Sequence, residues 1–173
     1  IERLELRDDF SHLANASVSM LGTQLGVGAV TSVDGDTTPD TLNVIGAAVD
    51  LSGVTFTNWT NGADVINIIG TVDADSLTGS SQDDTFSGSN GADVMNGAGG
   101  DDAFYFNSSS QVAAGKMVDG GSGNGDALVL ESVGRLIFSG VALSNIELLK
   151  FGASGGHGEF SGLQLGTAAG RIN

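Results

Sequence analysis

Three nine-residue units lie end to end in the middle of this chain: GSSQDDTFS (79–87), GSNGADVMN (88–96) and GAGGDDAFY (97–105). Each opens with Gly, carries Asp at its sixth position and has a large apolar residue at its eighth. The first six positions are mostly Gly, Ser, Asn, Asp and Ala, which suit tight turns and positive φ. The last three have the period-2 signature of a short, half-buried strand. Phe86, Met95 and Phe104 therefore point inward, flanked outward by Thr85, Ser87, Val94, Asn96, Ala103 and Tyr105.

With nine residues for each turn and strand, two units complete one coil. Units two apart then stack on the same side, with strands about 4.8 Å apart. This places Asp84 over Asp102, eighteen residues later. The preceding unit, GTVDADSLT (70–78), is degenerate but keeps Asp75 sixth and Leu77 eighth, which sets Asp75 over Asp93. Calcium takes six to eight hard oxygens from carboxylates and backbone carbonyls. Gly-rich stacked turns leave carbonyls approachable because no Cβ intervenes, and two carboxylates neutralise one ion. The spacing thus predicts two calcium sites, Asp75/Asp93 and Asp84/Asp102. Weaker metal candidates flank them. Asp64 is sixth in WTNGADVIN (59–67), but two extra residues, Ile68 and Ile69, break its register with the next unit. Asp126 closes the Gly-rich part of GGSGNGDAL (120–128), with one residue too many. Acidic Gly-rich runs are commonly flexible loops, but a linker has no reason to carry a bulky apolar residue every nine positions.

Charge layout agrees with metal binding. Net charge is −15, and between Arg7 and Lys116 there are fourteen Asp and no Lys or Arg. Such a segment repels itself, so the metal-free chain is expected to be expanded and metal binding to supply folding free energy. The same charge argues against nucleic acid and anionic membranes, which select basic patches. The basic residues Arg3, Arg7, Lys116, Arg135, Lys150 and Arg171 are scattered. No Cys is present, which excludes a disulfide framework. No apolar stretch reaches the roughly eighteen residues of a membrane span. The start at Ile1, without Met or a signal pattern, reads as a fragment or processed piece.

A longer duplication frames the nonapeptides. VDLSGVTFTNW (49–59) parallels LIFSGVALSNI (136–146), and each follows an Asp-Gly turn, in VDGDTTPDTLNV (33–44) and VDGGSGNGDALVL (118–130). IERLEL (1–6) resembles IELLKF (146–151), and TQLG (23–26) resembles LQLG (163–166). Their apolar residues, among them Val44, Val49, Leu51, Val54, Leu128, Leu130, Leu136, Phe138 and Val141, read as further rungs around the same interior. The expected organisation is one all-β solenoid module over 1–173. N-terminal strands fill 1–69, the nonapeptide core fills 70–105, and C-terminal strands with a cap fill 106–173, the repeat restarting near 146. The pattern of 11–21 does not decide between helix and strand.

The nonapeptides resemble the G-G-x-G-x-D-x-U-x repeat of RTX, or haemolysin-type, calcium-binding proteins of bacteria. The resemblance implies a right-handed parallel β-roll, a β-helix solenoid with calcium bound in its turns, exported by type I secretion and folded by calcium outside the cell. It also implies a ligand set. Asp84 and Asp102 would act with the carbonyls of Gly79, Ser80, Ser81, Gln82, Gly97, Ala98, Gly99 and Gly100. Asp75 and Asp93 would act with carbonyls around Gly70–Asp73 and around Gly88, Ser89, Asn90 and Gly91. Departures from the pattern include Ser80 and Ser89 at position two, Gln82 at position four and Asp73 in place of Gly.

Nothing in the sequence forms a catalytic set. The only histidines, His12 and His157, lie outside H-E-x-x-H, and there is no G-x-S-x-G and no thiol. A non-enzymatic, calcium-binding structural module of a secreted surface-layer or adhesin-like protein is the leading reading. Its partners would be calcium, neighbouring repeats of the same or sister chains and cell-surface polysaccharide. Two alternatives stay open: the non-catalytic secretion and folding module of an exported enzyme, and a carbohydrate-binding module. Trp59 and Tyr105 alone do not make the aromatic row that the last would need.

Overall fold

The computed structural model describes residues 3–5, 16–87, 90–131, 134–152 and 157–160. Gly88, Ser89, His12, Arg7, Arg171 and the segments 11–15 and 163–166 singled out above lie outside them. The described residues form short strands and two 3-10 turns, with no α-helix among them. Every strand pairing is parallel. This is the all-β parallel roll expected from the repeat.

Two sheets wall the interior. One runs, in order, through Leu148–Phe151, Ala127–Leu130, Ala103–Phe106, Asp84–Ser87, Val65–Ile69, Thr41–Ile45 and Ser17–Leu21. The other runs through Ala142–Ser144, Met117–Asp119, Val94–Asn96, Ser76–Thr78 and Ala48–Asp50. Consecutive nonapeptides alternate between the two, as a two-unit coil requires. Ile68 pairs with Phe86, Phe86 with Phe104 and Leu77 with Met95, each eighteen residues apart. The eighth-position residues Leu77, Phe86, Met95 and Phe104 are buried, and the rings of Phe86 and Phe104 stack with centroids 4.7 Å apart.

Outside the nonapeptides the coil is longer. Leu42 pairs with Ile66, Phe104 with Leu128, Met95 with Val118 and Val49 with Leu77, steps of 24, 24, 23 and 28 residues. Most of these coils add a strand on a third face: before the core, the sheet Arg3–Glu5, Ser32–Asp34 and Thr55–Thr57; after it, the pair Arg135–Ile137 and His157–Glu159. Between Phe106 and Met117 the added residues form the 3-10 turn Ser109–Gln111 instead. The molecule is thus a three-strand-per-coil helix that narrows to two strands where the nonapeptides begin and widens again where they end.

The long-range duplication has a structural counterpart. In LSGV and FSGV the same tight turn forms: Val54 N–H donates to Leu51 O and Val141 N–H to Phe138 O, both 2.9 Å. Each turn joins the third face to the second sheet. Asn58 and Asn145 then both take left-handed backbone, with φ 52° and 49°. Their side-chain amides donate to Asp34 Oδ1 at 2.9 Å and to Asp119 Oδ1 at 2.7 Å. Gly35 and Gly120, which follow those aspartates, donate N–H to Thr57 O and Ser144 O, both 3.0 Å.

Because Phe104 is wholly buried in the narrow coil, Phe104→Ala should cost about 3–5 kcal/mol. Denaturant unfolding in calcium would measure this, with half-buried Tyr105→Ala as the smaller control.

Candidate metal centre

Five strands of the first sheet have an Asp at or immediately before their start, Asp40, Asp64, Asp84, Asp102 and Asp126, because the alternation that points Phe86, Phe104 and Leu128 inward also turns the residue two positions earlier inward. Asp84, Asp102 and Asp126 are therefore aligned on one edge, and they are 1%, 1% and 0% exposed. Backbone hydrogen bonds to side chains link them in series. Asp84 N–H donates to Asp102 Oδ1 at 2.7 Å, and Asp102 N–H to Asp126 Oδ1 at 2.8 Å. Asp126 N–H donates to Glu147 Oε2 at 3.1 Å. Asp84 Oδ2 accepts from Ser80 N–H at 2.6 Å within its own turn.

One oxygen of each aspartate is left over. Asp84 Oδ1, Asp102 Oδ2 and Asp126 Oδ2 are buried and accept no hydrogen bond. A buried, unpaired carboxylate oxygen is costly, and three in one column repel one another as well. Burial accordingly pushes Asp84 up to about 7 and Asp102 up to about 9, and raises Asp126. Such a column needs protons or a cation.

The turns around the column fit a cation. Gly97 has no room for a side chain, since a Cβ there would overlap Asp102 Oδ2 and the Gly120 carbonyl. At position four, Gly91 and Gly100 take φ of 91° and 103°, a conformation glycine adopts without penalty. Gln82, at the same position of the first unit, is not among the residues with positive φ, so that turn differs from the other two. Among the described residues no three His, Cys, Asp or Glu side chains converge on a point. Most of a cation's shell would therefore come from backbone carbonyls. The Ser80 and Ala98 carbonyls already take the N–H groups of Gly99 and Ser122, both at 3.0 Å. Gly79, Ser81, Gln82, Gly97, Gly99 and Gly100 line the same stacked turns.

The structure brings together both predicted pairs. Asp84 lies beside Asp102, and Asp75 N–H donates to Asp93 Oδ1 at 3.0 Å. The second pair stands on the opposite edge, in the second sheet, with Gly70, Asp73, Asn90 and Gly91 in its turns. Asp126 joins the first column, 24 residues after Asp102. Asp64 does not. Its oxygens accept from Asp40 N–H at 2.8 Å and Thr60 N–H at 2.5 Å, and Ile66 rather than Asp64 pairs with Asp84. Spacing by eighteen missed Asp40 and Glu147. The signal that finds both the column and the separate Asp40/Asp64 pair is Asp at the start of an alternating apolar strand: DTLNV at 40, DVINI at 64, DTF at 84, DAFYF at 102 and DALVL at 126. Asp83, half-buried, and Asp101, exposed, are sequence neighbours of the column and serve as staples. Asp83 Oδ1 accepts from Asp101 N–H and Asn61 Nδ2, both 2.8 Å, and Asp101 Oδ1 from Asn124 and Gly125 N–H, both 3.0 Å.

Residues 69–104 match the family model of the RTX calcium-binding nonapeptide repeat, in four copies. This segment is therefore an RTX-type repeat, and the repeat family supports a calcium-binding structural module here. No curated protein and no solved structure matches the chain.

The raised carboxyl values fix a pH dependence. An unfolded aspartate titrates near 3.9, so above about pH 4 the folded, metal-free chain holds protons the unfolded chain has released. Its stability should fall as pH rises, through about 7 for Asp84 and on to about 9 for Asp102. Thermal unfolding in chelator at pH 5 and pH 8 would show the higher melting point at pH 5. Calcium should abolish or reverse that order and release protons on binding. Asp102→Asn removes a buried charge while keeping an acceptor for Asp84 N–H. It should gain on the order of 1–4 kcal/mol in chelator and lose the stabilisation by calcium.

Proposed function

We propose that this chain is a calcium-dependent folding module of a secreted bacterial surface protein of the surface-layer or adhesin kind. The observation that carries the reading is the buried column Asp84–Asp102–Asp126, whose three oxygens have no acceptor role inside the protein. Asp84 and Asp102, with Asp126 beyond them, would hold the ion together with carbonyls of turns 79–82, 97–100 and 120–125. Bound calcium supplies two positive charges and coordination to oxygen. The chain's own residues do the remaining work: their N–H groups fix each carboxylate, and the glycines let the turns approach. Without a cation the column favours the unfolded chain at neutral pH; with one it staples successive coils. Export of an unfolded chain followed by folding outside the cell follows from that difference.

The reading is non-enzymatic. The buried carboxylates are committed to the ladder, and Asp83 and Asp101 hold neighbouring turns. No helix among the described residues is long and apolar enough to cross a membrane. The duplicated SGV turns and left-handed Asn58 and Asn145 support a module that recurs along a longer chain, stacked on its neighbours. A sugar-binding face has less support, because Trp59 is partly buried against the core and packs T-shaped on Phe56, ring centroids 5.2 Å apart.

Circular dichroism of the full chain should show β-signal growing with added calcium, with a midpoint of about 10⁻⁴–10⁻³ M, and collapsing on chelation. Equal spectra with calcium and with chelator would contradict calcium-dependent folding.

A further inference from the structure

The opposite edge of the coil also carries stacked aspartates, but its chemistry differs. There Asp75 precedes Ser76–Thr78, Asp93 precedes Val94–Asn96, and the next strand, Met117–Asp119, is preceded by Lys116. Val94 pairs with Met117, so Lys116 occupies in its coil the place Asp93 occupies one coil before. QVAAGKMVD (111–119) has the length of a nonapeptide with buried Val118 at its eighth position, and Lys stands where Asp stood in the earlier units.

Lys116 is 1% exposed and Asp93 0%. The Lys116 ammonium forms an ion pair with Asp93 Oδ2, and it lies 5.8 Å from the ring centroid of Phe106. The remaining oxygens of this edge are engaged too. Asp93 Oδ1 accepts from Asp75 N–H at 3.0 Å. Asp75 Oδ2 and Oδ1 accept from Thr71 N–H and Thr71 Oγ1, both at 2.7 Å. No oxygen of Asp75 or Asp93 is among the buried atoms without a partner, whereas each member of the other column has one.

We propose that Lys116 is a built-in cation that takes the place of calcium at Asp93, confining the chain's calcium requirement to the Asp84–Asp102–Asp126 edge. This rests on the calcium reading of that edge. Calcium at Asp93 would have to displace a buried ammonium from its ion pair with Asp93 and leave that ammonium buried beside a dication. The repeat pattern predicts metal on both edges; the geometry assigns one edge to metal and the other to lysine.

The test counts calcium bound by the full chain, using calcium alone in equilibrium dialysis. At saturating calcium Asp93→Asn should bind as many ions as the natural sequence, whereas Asp102→Asn should bind fewer. In saturating calcium, Lys116→Met should lower the folding equilibrium constant on the order of 100-fold or more by stranding a buried carboxylate. The double variant Asp93→Asn with Lys116→Met should recover much of that loss. If Lys116→Met does not fold, recovery of a folded double variant makes the same point. Loss of an ion in Asp93→Asn, or a double variant no more stable than Lys116→Met, would overturn the proposal while leaving calcium binding intact. Absence of calcium binding by the natural sequence would instead overturn the functional reading beneath it.

Discussion

The hydrogen bond from one aspartate's backbone N–H to the carboxylate of the aspartate one coil further on governs this molecule. It occurs between Asp40 and Asp64, Asp84 and Asp102, Asp102 and Asp126, and Asp75 and Asp93. Each such bond satisfies a donor at the start of a strand, where the parallel ladder has not yet begun. It also forces every carboxylate out of water, beside the next. The device that sets the coil spacing therefore creates a line of buried charge, and the chain must supply something positive to settle it.

Two solutions stand on the two edges. On one, the leftover oxygens of Asp84, Asp102 and Asp126 lie among turns whose glycines leave room for carbonyls to approach. On the other, Lys116 and Thr71 satisfy the carboxylates from within. Around this electrostatic centre the fold is apolar and repetitive. The interior runs continuously from Leu42 and Ile66 through Phe86 and Phe104 to Leu128. The change from three strands per coil to two follows the nonapeptides, since eighteen residues suffice for two turns and two strands, whereas the longer coils spend their extra residues on a third strand or on the 3-10 turn Ser109–Gln111.

Nine-residue spacing made the centre legible: Asp84 beside Asp102, Asp75 beside Asp93, and Leu77, Phe86, Met95 and Phe104 inside. The repeated SGV blocks also announced equivalent positions, and their common turn has a physical basis in the Val54 and Val141 hydrogen bonds. What lay hidden was register where coil length changes. Asp126 stands 24 residues beyond Asp102, so an eighteen-residue ruler passes it. Ile68 and Ile69, which interrupt the nine-residue spacing, are the last two residues of the strand Val65–Ile69, pairing with Phe86 and Ser87. The role of Lys116 could not be counted from Asp93, because a 3-10 turn at Ser109–Gln111 lies between them. The third face was equally hidden, since Ser32–Asp34 and Thr55–Thr57 are too short to show periodicity.

The central claim is that ionised aspartates one coil apart share a divalent cation. A crystal structure of the full chain grown in millimolar calcium, with anomalous scattering to identify the ion, tests it most directly. The account predicts an anomalous peak about 2.3–2.6 Å from carboxylate oxygens of both Asp84 and Asp102, and none at Asp93. Ordered turns at Asp84 and Asp102 with no ion between them would contradict it.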